Sequence, residues 1–314
     1  MKIANRMENL SPSVTLAITA LARELKAQGK DILSFSAGEP DFDTPEIIKQ
    51  AAIKAINDGQ TKYTAVEGII ATKQAIINKL KKDHGLEYKL DGIVISNGAK
   101  HSLFNLFQVL IEKGDEVIIP APYWVTYPEQ VKFSDGIPVF IDTDDSTEFK
   151  ITPEQLKAVI TPKTKVLLLN TPSNPTGSVY TKEELTALGK VLEGTDILVF
   201  SDEMYEKIIY NGTKFTAAAE VSEDMYNRTV TINGLSKSEA MTGWRFGYIA
   251  TPNVALAKAL TKLQGQVTSN VNTMTQYAAI PALEGEADKD IEMMRVEFEK
   301  RKNIAVKSFN EIKG

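Results

Sequence analysis

The chain has 314 residues, 43% hydrophobic and 25% charged, a composition that predicts a globular protein with a substantial core. A formal net charge of −5 argues against a nucleic-acid partner, and no apolar stretch approaches the roughly 20 residues that a membrane-spanning helix needs. Because the chain has no cysteine and begins without an apolar leader, we expect a cytoplasmic protein without disulfides or thiolate chemistry.

The first ninety residues have helical patterns separated by loops. Helices are predicted over 11–28, 45–58 and 71–82, and a short strand is predicted over 32–35. Gly38 and Pro40 follow that strand and mark a tight loop with exposed backbone.

From residue 93 onward, short aliphatic runs alternate with amphipathic helical patterns. Strands are predicted over 93–96, 116–120, 138–141, 165–169, 197–201, 230–232 and 246–250. Helices are predicted over 100–112, 124–133, 153–160, 182–193, 254–263 and 273–283, and from 288 to the end. This alternation predicts a three-layer α/β/α fold around a mostly parallel sheet. Ligands of such sheets bind beyond the carboxyl ends of the strands, so the loops after the strands are the candidate site.

The loop between the last two predicted strands contains a lysine and an arginine, Lys237 and Arg245. Burial and a nearby guanidinium both lower the pKa of an ammonium group, and a neutral lysine can form a Schiff base with a carbonyl compound. Arg245 suits a phosphate, which it can bind through two hydrogen bonds. The pair matches the needs of pyridoxal phosphate, although an ordinary loop lysine and a strand-end arginine remain an alternative. The two histidines do not suffice for a usual zinc site, and we predict no metal.

Other loops after strands contain residues with two interpretations each. Asp202, at the tip of a predicted buried strand, caps a helix or meets a cation, and a protonated pyridine nitrogen is one such cation. Trp124 faces a planar ring or packs on the sheet. Gly98 opens a helix whose N-terminus binds an anion or merely connects two elements. Two prolines and a glycine fix Asn174 near the end of the strand 165–169.

Seven motifs, in this order, resemble those of the fold-type-I pyridoxal-phosphate-dependent aminotransferases of class I/II, most closely the bacterial aspartate aminotransferase branch. They are Ser-Ala-Gly-Glu-Pro-Asp-Phe at 36–42, Lys-Tyr-Thr at 62–64, Asn-Gly-Ala-Lys-His-Ser at 97–102, Pro-Tyr-Trp at 122–124, Asn-Thr-Pro-Ser-Asn-Pro-Thr-Gly at 170–177, Ser-Asp-Glu-Met-Tyr at 201–205, and Ser-Lys-Ser-Glu-Ala-Met-Thr-Gly-Trp-Arg at 236–245. The resemblance implies that an amino acid, aspartate or glutamate, donates its amine to the cofactor. A 2-oxo acid, 2-oxoglutarate or oxaloacetate, then accepts it.

The resemblance also implies roles for individual residues. The implied catalytic residues are Lys237, which forms a Schiff base with the cofactor and moves a proton, Asp202, which pairs with the pyridine nitrogen, and Tyr205. The residues implied to bind the cofactor are these three with Gly98, Ala99, Lys100, Trp124, Asn174, Ser236, Arg245 and Tyr63. Of these, Tyr63 reaches the neighbouring subunit of a homodimer with a shared active site. The residues implied to bind the substrate are Gly38, Trp124, Asn174 and Lys100.

Two features depart from the family pattern. Ser238-Glu239 differs from the small-aromatic pair that follows the lysine in relatives, and Glu239 either repels the phosphate or faces away. The resemblance also implies a further C-terminal segment with an arginine for the substrate α-carboxylate. We therefore expect an arm at 1–44, a cofactor-binding large domain at 45–285, and the truncated start of a small domain at 286–314. The alternatives are a C–S or β-elimination lyase on the same scaffold, and a truncated, inactive protein that binds the cofactor.

Overall fold

The centre of the computed structural model, which describes residues 1–8, 10–35 and 38–313, is a seven-stranded sheet. Its strands are β1 (Ile93–Ser96), β2 (Glu116–Ala121), β3 (Ile137–Asp142), β4 (Thr164–Asn170), β5 (Leu198–Asp202), β6 (Thr229–Gly234) and β7 (Gly247–Ala250). The helices are α1 (Val14–Ala27), α2 (Glu46–Asn57), α3 (Ile70–His84), α4 (Ala99–Leu110), α5 (Thr126–Phe133), α6 (Pro153–Val159), α7 (Lys182–Leu192), α8 (Glu223–Arg228), α9 (Val254–Val267), α10 (Thr273–Glu284) and α11 (Asp288–Asn310). None of these helices is long and apolar enough to cross a membrane.

The strand order is β1-β7-β6-β5-β4-β2-β3. Strands β3, β2, β4, β5 and β6 pair in parallel, and β7 runs antiparallel between β6 and β1. Six strands therefore point the same way, and their carboxyl ends lie at one edge of the sheet. The predicted mostly parallel sheet is confirmed.

Alternation along the strands divides the core between the two faces of the sheet. On β5, Phe200 packs with residues of α4, α5 and α9, whereas Val199 packs with residues of α6, α7 and α8. A further apolar cluster joins β1 and β7 to α2, α3, α10 and the start of α11. Helices therefore cover both faces of the sheet, as the alternating pattern predicts.

The prediction is wrong in the N-terminal region. Residues 32–35 are not in a strand, and Phe35 has a relative exposure of 91%. A short apolar run gives no information about a pairing partner, and a strand depends on hydrogen bonds to its neighbour. The helix predicted from residue 11 begins at Val14. Ser36 and Ala37, the first two residues of one predicted motif, lie outside the described residues.

Candidate active site

The reversed strand β7 brings the two ends of the Lys237–Arg245 loop to one edge of the sheet. Gly247, its first residue, pairs with Gly234 at the carboxyl end of β6 and with Ser96 at the carboxyl end of β1. Because β7 starts where those strands end, Arg245 lies at the same edge as Lys237. The loop of seven intervening residues thus leaves and re-enters the sheet beside the candidate site.

A cavity of about 280 Å³ lies at this edge. Its walls are formed by Ala99, Lys100, Trp124, Tyr127, Asn170, Asn174, Asp202, Met204, Tyr205, Ser236, Lys237, Thr242 and Arg245. Nine of the twelve predicted site residues line it, all except Gly38, Tyr63 and Gly98. Four separate loops, which follow β2, β4, β5 and β6, and the N-terminus of α4 supply these walls, as expected for a ligand site of a parallel sheet.

Asp202 provides a buried carboxylate in the cavity wall. Its Oδ2 accepts a hydrogen bond of 2.7 Å from the Tyr127 hydroxyl, and its Oδ1 accepts one of 3.3 Å from the Met204 backbone N–H. Among the described residues it forms no salt bridge within 4.0 Å. Burial raises the pKa of Asp202 to about 6, against the opposing effects of these hydrogen bonds and of the Lys237 charge. A buried carboxylate that faces a cavity without a contacting protein cation is suited to a cationic ligand group.

Lys237 is partly buried, and its Nζ donates a hydrogen bond of 2.6 Å to the backbone oxygen of Gly38. Burial is the main cause that lowers the pKa of Lys237, and Arg245 adds a smaller effect in the same direction. The carboxylates of Glu39 and Asp202 oppose this shift. The structure therefore confirms the direction that the sequence predicts for this pKa, with burial as its first cause.

At the other end of the cavity, Arg245 lies beside the N-terminus of α4. Its Nη1 donates a hydrogen bond of 2.8 Å to the Thr242 backbone oxygen. A Cβ atom at Gly98, which has a φ of +85°, would lie 2.5 Å from Nη2 of Arg245, so this close approach needs glycine. The N–H groups of Ala99 and Lys100 open the helix and have no partner within it, which makes this end favourable for an anion. The Arg245 residue itself is exposed.

Aromatic side chains form the walls between these two ends. Trp124 packs edge-on against Tyr127, with ring centroids 5.4 Å apart, and Nζ of Lys100 lies 4.7 Å from the centre of the Trp124 ring. Tyr205 and Asn174 both line the cavity, and burial raises the pKa of Tyr205 to about 12. The backbone N–H of Asn174 donates 2.7 Å to Oδ1 of Asn170, which fixes the loop after β4.

Tyr127 is a site residue that sequence reasoning missed. It lies in the first turn of α5, three residues after Trp124, and is fully buried. A tyrosine near a helix start has no pattern that indicates a carboxylate partner. The contact arises from the packing of α5 against β5, and only the structure shows it.

The structure decides between the two positions considered for Glu239. Its side chain is buried away from the cavity, and it accepts a hydrogen bond of 2.7 Å from Ser238. Of the remaining predicted residues, Gly38 contacts Lys237 through its backbone oxygen, and Gly98 adjoins the cavity behind Arg245. Tyr63 is 90% exposed and does not line the cavity.

The residues of the cavity fit pyridoxal phosphate. This cofactor needs a carboxylate for its ring nitrogen, an amine for its aldehyde and donors for its phosphate. Asp202, Lys237 and Arg245 supply these three groups around one cavity, and the absence of a side chain at Gly98 leaves space for the Arg245 guanidinium at the donor end. The ring has an aromatic wall in Trp124.

Comparison with known proteins gives concordant results. Residues 30–314 match the family model described as aminotransferase class I and II. The chain is 52% identical to an aspartate aminotransferase of Geobacillus stearothermophilus, over 100% of this chain and 79% of the relative. Its structure resembles that of an aspartate aminotransferase from Rhizobium meliloti, with a TM-score of 0.96 and 42% identity over 100% of this chain and 78% of that one. It also resembles a Thermus thermophilus aspartate aminotransferase solved with maleate, with a TM-score of 0.95 and 38% identity over 99% of this chain and 80% of that one. The chain belongs to the aminotransferase class I and II family, whose members depend on pyridoxal phosphate.

Proposed function

We propose that this protein transfers the amino group of aspartate or glutamate to a 2-oxo acid, 2-oxoglutarate or oxaloacetate, at the cavity around Lys237. The observation that carries the proposal is the placement of Asp202, Lys237 and Arg245 around one cavity of about 280 Å³. When bound, pyridoxal phosphate supplies an electron sink for the negative charge that develops at the substrate α-carbon. The lyase alternative is not favoured, because the relatives compared have aminotransferase names.

Lys237 serves as nucleophile and as the group that moves the proton. A nucleophilic amine must be neutral, and burial lowers the pKa of Lys237 and so makes the neutral form more accessible. We assign to the same Nζ the transfer of a proton from the substrate α-carbon and its return. Its hydrogen bond to Gly38 connects this amine to the loop that contains Gly38 and Pro40.

Asp202 and Arg245 hold the two ends of the cofactor. In its ionised form, Asp202 would accept a hydrogen bond from the protonated ring nitrogen. The hydrogen bond from Tyr127 keeps the carboxylate oriented. Arg245 binds the phosphate together with Ser236 and the first N–H groups of α4. We assign Tyr205 and Asn174, which both line the cavity, to the ring hydroxyl.

The substrate is proposed to enter from a second cavity. Lys237 also lines this larger space of about 600 Å³, which is bounded by Gly38, Glu39 and the loop 172–177. We assign Gly38 to the substrate carboxylate through its backbone and Lys100 to the distal carboxylate. The ammonium of Lys100 lines the cofactor cavity beside Trp124. Aspartate and glutamate are dicarboxylates, as is the maleate with which the Thermus relative was solved.

We also propose a homodimer in which Tyr63 binds the phosphate in the partner's site. Tyr63 does not line the cavity of its own chain and is 90% exposed, and the apolar side chains Ile53, Ile56 and Ile70 are exposed on α2 and at the start of α3. Sedimentation should show a dimer, and Tyr63→Phe should weaken cofactor binding without changing the mass. A monomer that binds the cofactor as tightly would contradict this assignment. From its cysteine-free composition we place the protein in the cytoplasm.

The function is tested by supplying pyridoxal phosphate and measuring turnover with aspartate and 2-oxoglutarate. Lys237→Ala should lower the rate by more than about 10⁴-fold, because it removes both the nucleophile and a proton-transfer group that alone contributes about 10²–10⁴-fold. Lys190→Ala, a change at an exposed lysine of α7, should have no effect. Borohydride should attach the cofactor to Lys237 in the parent protein.

Three results would each reject the proposal. Full turnover by Lys237→Ala would exclude the assigned nucleophile. Pyruvate and ammonia in place of 2-oxo acid and amino acid products would indicate the lyase. A bound cofactor whose absorption does not respond to aspartate or glutamate would indicate a binding protein without transaminase activity.

A further inference from the structure

Buried charges lie directly behind the cavity, on the opposite face of the sheet. Asp202 is directed toward α5, where it meets Tyr127, and the next residue, Glu203, is directed the other way. Glu203 accepts hydrogen bonds from the Ser201 hydroxyl at 2.8 Å and from the Ala218 N–H at 3.2 Å. The turn that follows β5 therefore presents functional groups to both faces.

The same turn places Glu206 against helix α3. Nζ of Lys79 lies 2.5 Å from Oε1 of Glu206, and Nε2 of His84 lies 2.8 Å from Oε2. The Lys79 and Glu206 side chains are only 5% and 6% exposed, and the second carboxylate near the lysine, Asp83, is 3.2 Å away. A buried carboxylate needs such partners, because removal of one leaves an uncompensated charge.

A backbone hydrogen bond connects this ion pair to the cavity. Glu206 N–H donates 3.1 Å to the backbone oxygen of Glu203, which closes the turn 203–206. Tyr205 lies inside the turn and lines the cavity. Asp202, which also lines the cavity, is the residue directly before the turn. Glu206 therefore shares one hydrogen-bonded turn with Tyr205, and that turn follows directly after Asp202.

The loop of Lys237 is anchored on the same side. Glu239, two residues after Lys237, is buried with its Oε1 4.0 Å from Nζ of Lys207, which follows Glu206 in the chain. Lys79 and Glu206 also act electrostatically on Glu239. Both loops that carry the reactive groups therefore have a buried carboxylate on the α3 side.

We propose that Lys79 is a positioning residue for the cofactor site: by neutralising Glu206 it fixes the turn 203–206 and holds Asp202 and Tyr205 in place for the cofactor ring. This inference rests on the proposed function. Lys79 does not line the cavity, and it acts on the cofactor site through Glu206 and the turn.

The test replaces Lys79 and measures the cofactor rather than turnover. Lys79→Met should bind pyridoxal phosphate more weakly by about 10- to 100-fold, as found for other residues that orient a ligand-binding side chain. It should also move the pH midpoint at which the absorption of the bound cofactor changes. Lys79→Met/Glu206→Gln removes both charges and should recover part of the affinity.

Controls separate positioning from a loss of stability. Lys73→Met removes a second buried lysine of α3, which forms no ion pair with the turn among the described residues, and should leave affinity and midpoint unchanged. Binding is measured at a temperature at which circular dichroism shows each variant folded. If Lys79→Met does not fold, Glu206→Ala takes its place: it removes the carboxylate that joins the turn to α3 while Lys79 keeps Asp83 as a partner, and it should weaken cofactor binding.

A folded Lys79→Met, or in its place Glu206→Ala, with the affinity and pH midpoint of the parent protein would overturn the inference, whatever its melting temperature. Equal losses in Lys73→Met would overturn it as well. Failure of the proposed function is recognised separately, because the parent protein would then not form the borohydride-stable link at Lys237.

Discussion

Asp202 and Glu203 are neighbours in the chain, yet they lie on opposite faces of the sheet in different surroundings. Asp202 lines a cavity, with Tyr127 and a backbone N–H as its hydrogen-bond donors. On the face of Glu203, the charges are gathered in a cluster in which Glu206 pairs with Lys79 and His84. Burial raises the pKa of both Asp202 and Glu203.

Whether a buried charge is paired within the protein indicates whether it supports the fold or binds a ligand. Charges that the protein itself pairs, as in Lys79 and Glu206, support the fold and the position of a turn. A buried carboxylate that faces a cavity without a protein cation in contact is placed for a ligand. Both kinds occur within five residues of the chain, so the surroundings of a group are more informative than its burial.

The largest effect is expected from Glu203→Gln, and it concerns the free energy of unfolding. Burial raises the pKa of Glu203 from its ordinary 4.5 to about 7, so the folded protein binds this proton more tightly than the unfolded chain. The resulting stability is present at low pH and is lost as the pH rises from 4.5 through 7. At pH 8 the variant should be more stable by up to about 3 kcal/mol, and near pH 4.5 the two proteins should be similar.

Urea unfolding of the cofactor-free proteins at both pH values measures this difference. The exposed Glu183→Gln of α7 is the matched control and should follow the parent protein at each pH. Parallel stability curves for Glu203→Gln and the parent would show that Glu203 is ionised in the folded protein, and would contradict a raised pKa for this carboxyl.

A smaller effect is expected at the phosphate end of the cavity. Arg245→Gln should weaken pyridoxal phosphate by about 1.5–3 kcal/mol, the contribution of hydrogen bonds to a charged group. Fluorescence titration measures the affinity, and pyridoxal, which lacks the phosphate, should bind the variant and the parent equally. The exposed Arg23→Gln of α1 controls for net charge. A loss of affinity for pyridoxal of the same size would place Arg245 elsewhere than at the phosphate.

The smallest effect is expected from Tyr127→Phe. Loss of the hydrogen bond to Asp202 should raise the pKa of that carboxyl above about 6, since the Tyr127 hydroxyl lowers it. Cofactor affinity should fall by about 1 kcal/mol, and its rise with pH, as Asp202 ionises, should shift to higher pH. Tyr180→Phe, in which a buried tyrosine away from the cavity is changed, should reproduce the parent curve. An unshifted curve for Tyr127→Phe would mean that the bond has no influence on Asp202.

The sequence was sufficient to predict the sheet and the position of most of the site. Strands alternate with helices, and loops at the carboxyl ends meet at one edge, so Lys237, Asp202 and Arg245 could be grouped without coordinates. Tyr127 could not be found in this way, because its contact depends on how α5 packs against β5. The direction of Glu239 depends on the path of its loop, which no periodic pattern specifies. The domain boundaries at 44 and 285 stay a prediction.

The antiparallel strand β7 has a consequence for ligand selection. Because β6, the intervening loop and β7 form a single hairpin, the separation between the amine of Lys237 and the guanidinium of Arg245 is set by one short piece of chain. The hairpin is therefore expected to favour ligands whose carbonyl and anionic groups are separated by one particular distance. A compound whose carbonyl and anionic groups are one methylene further apart is expected to contact either Lys237 or Arg245, but not both.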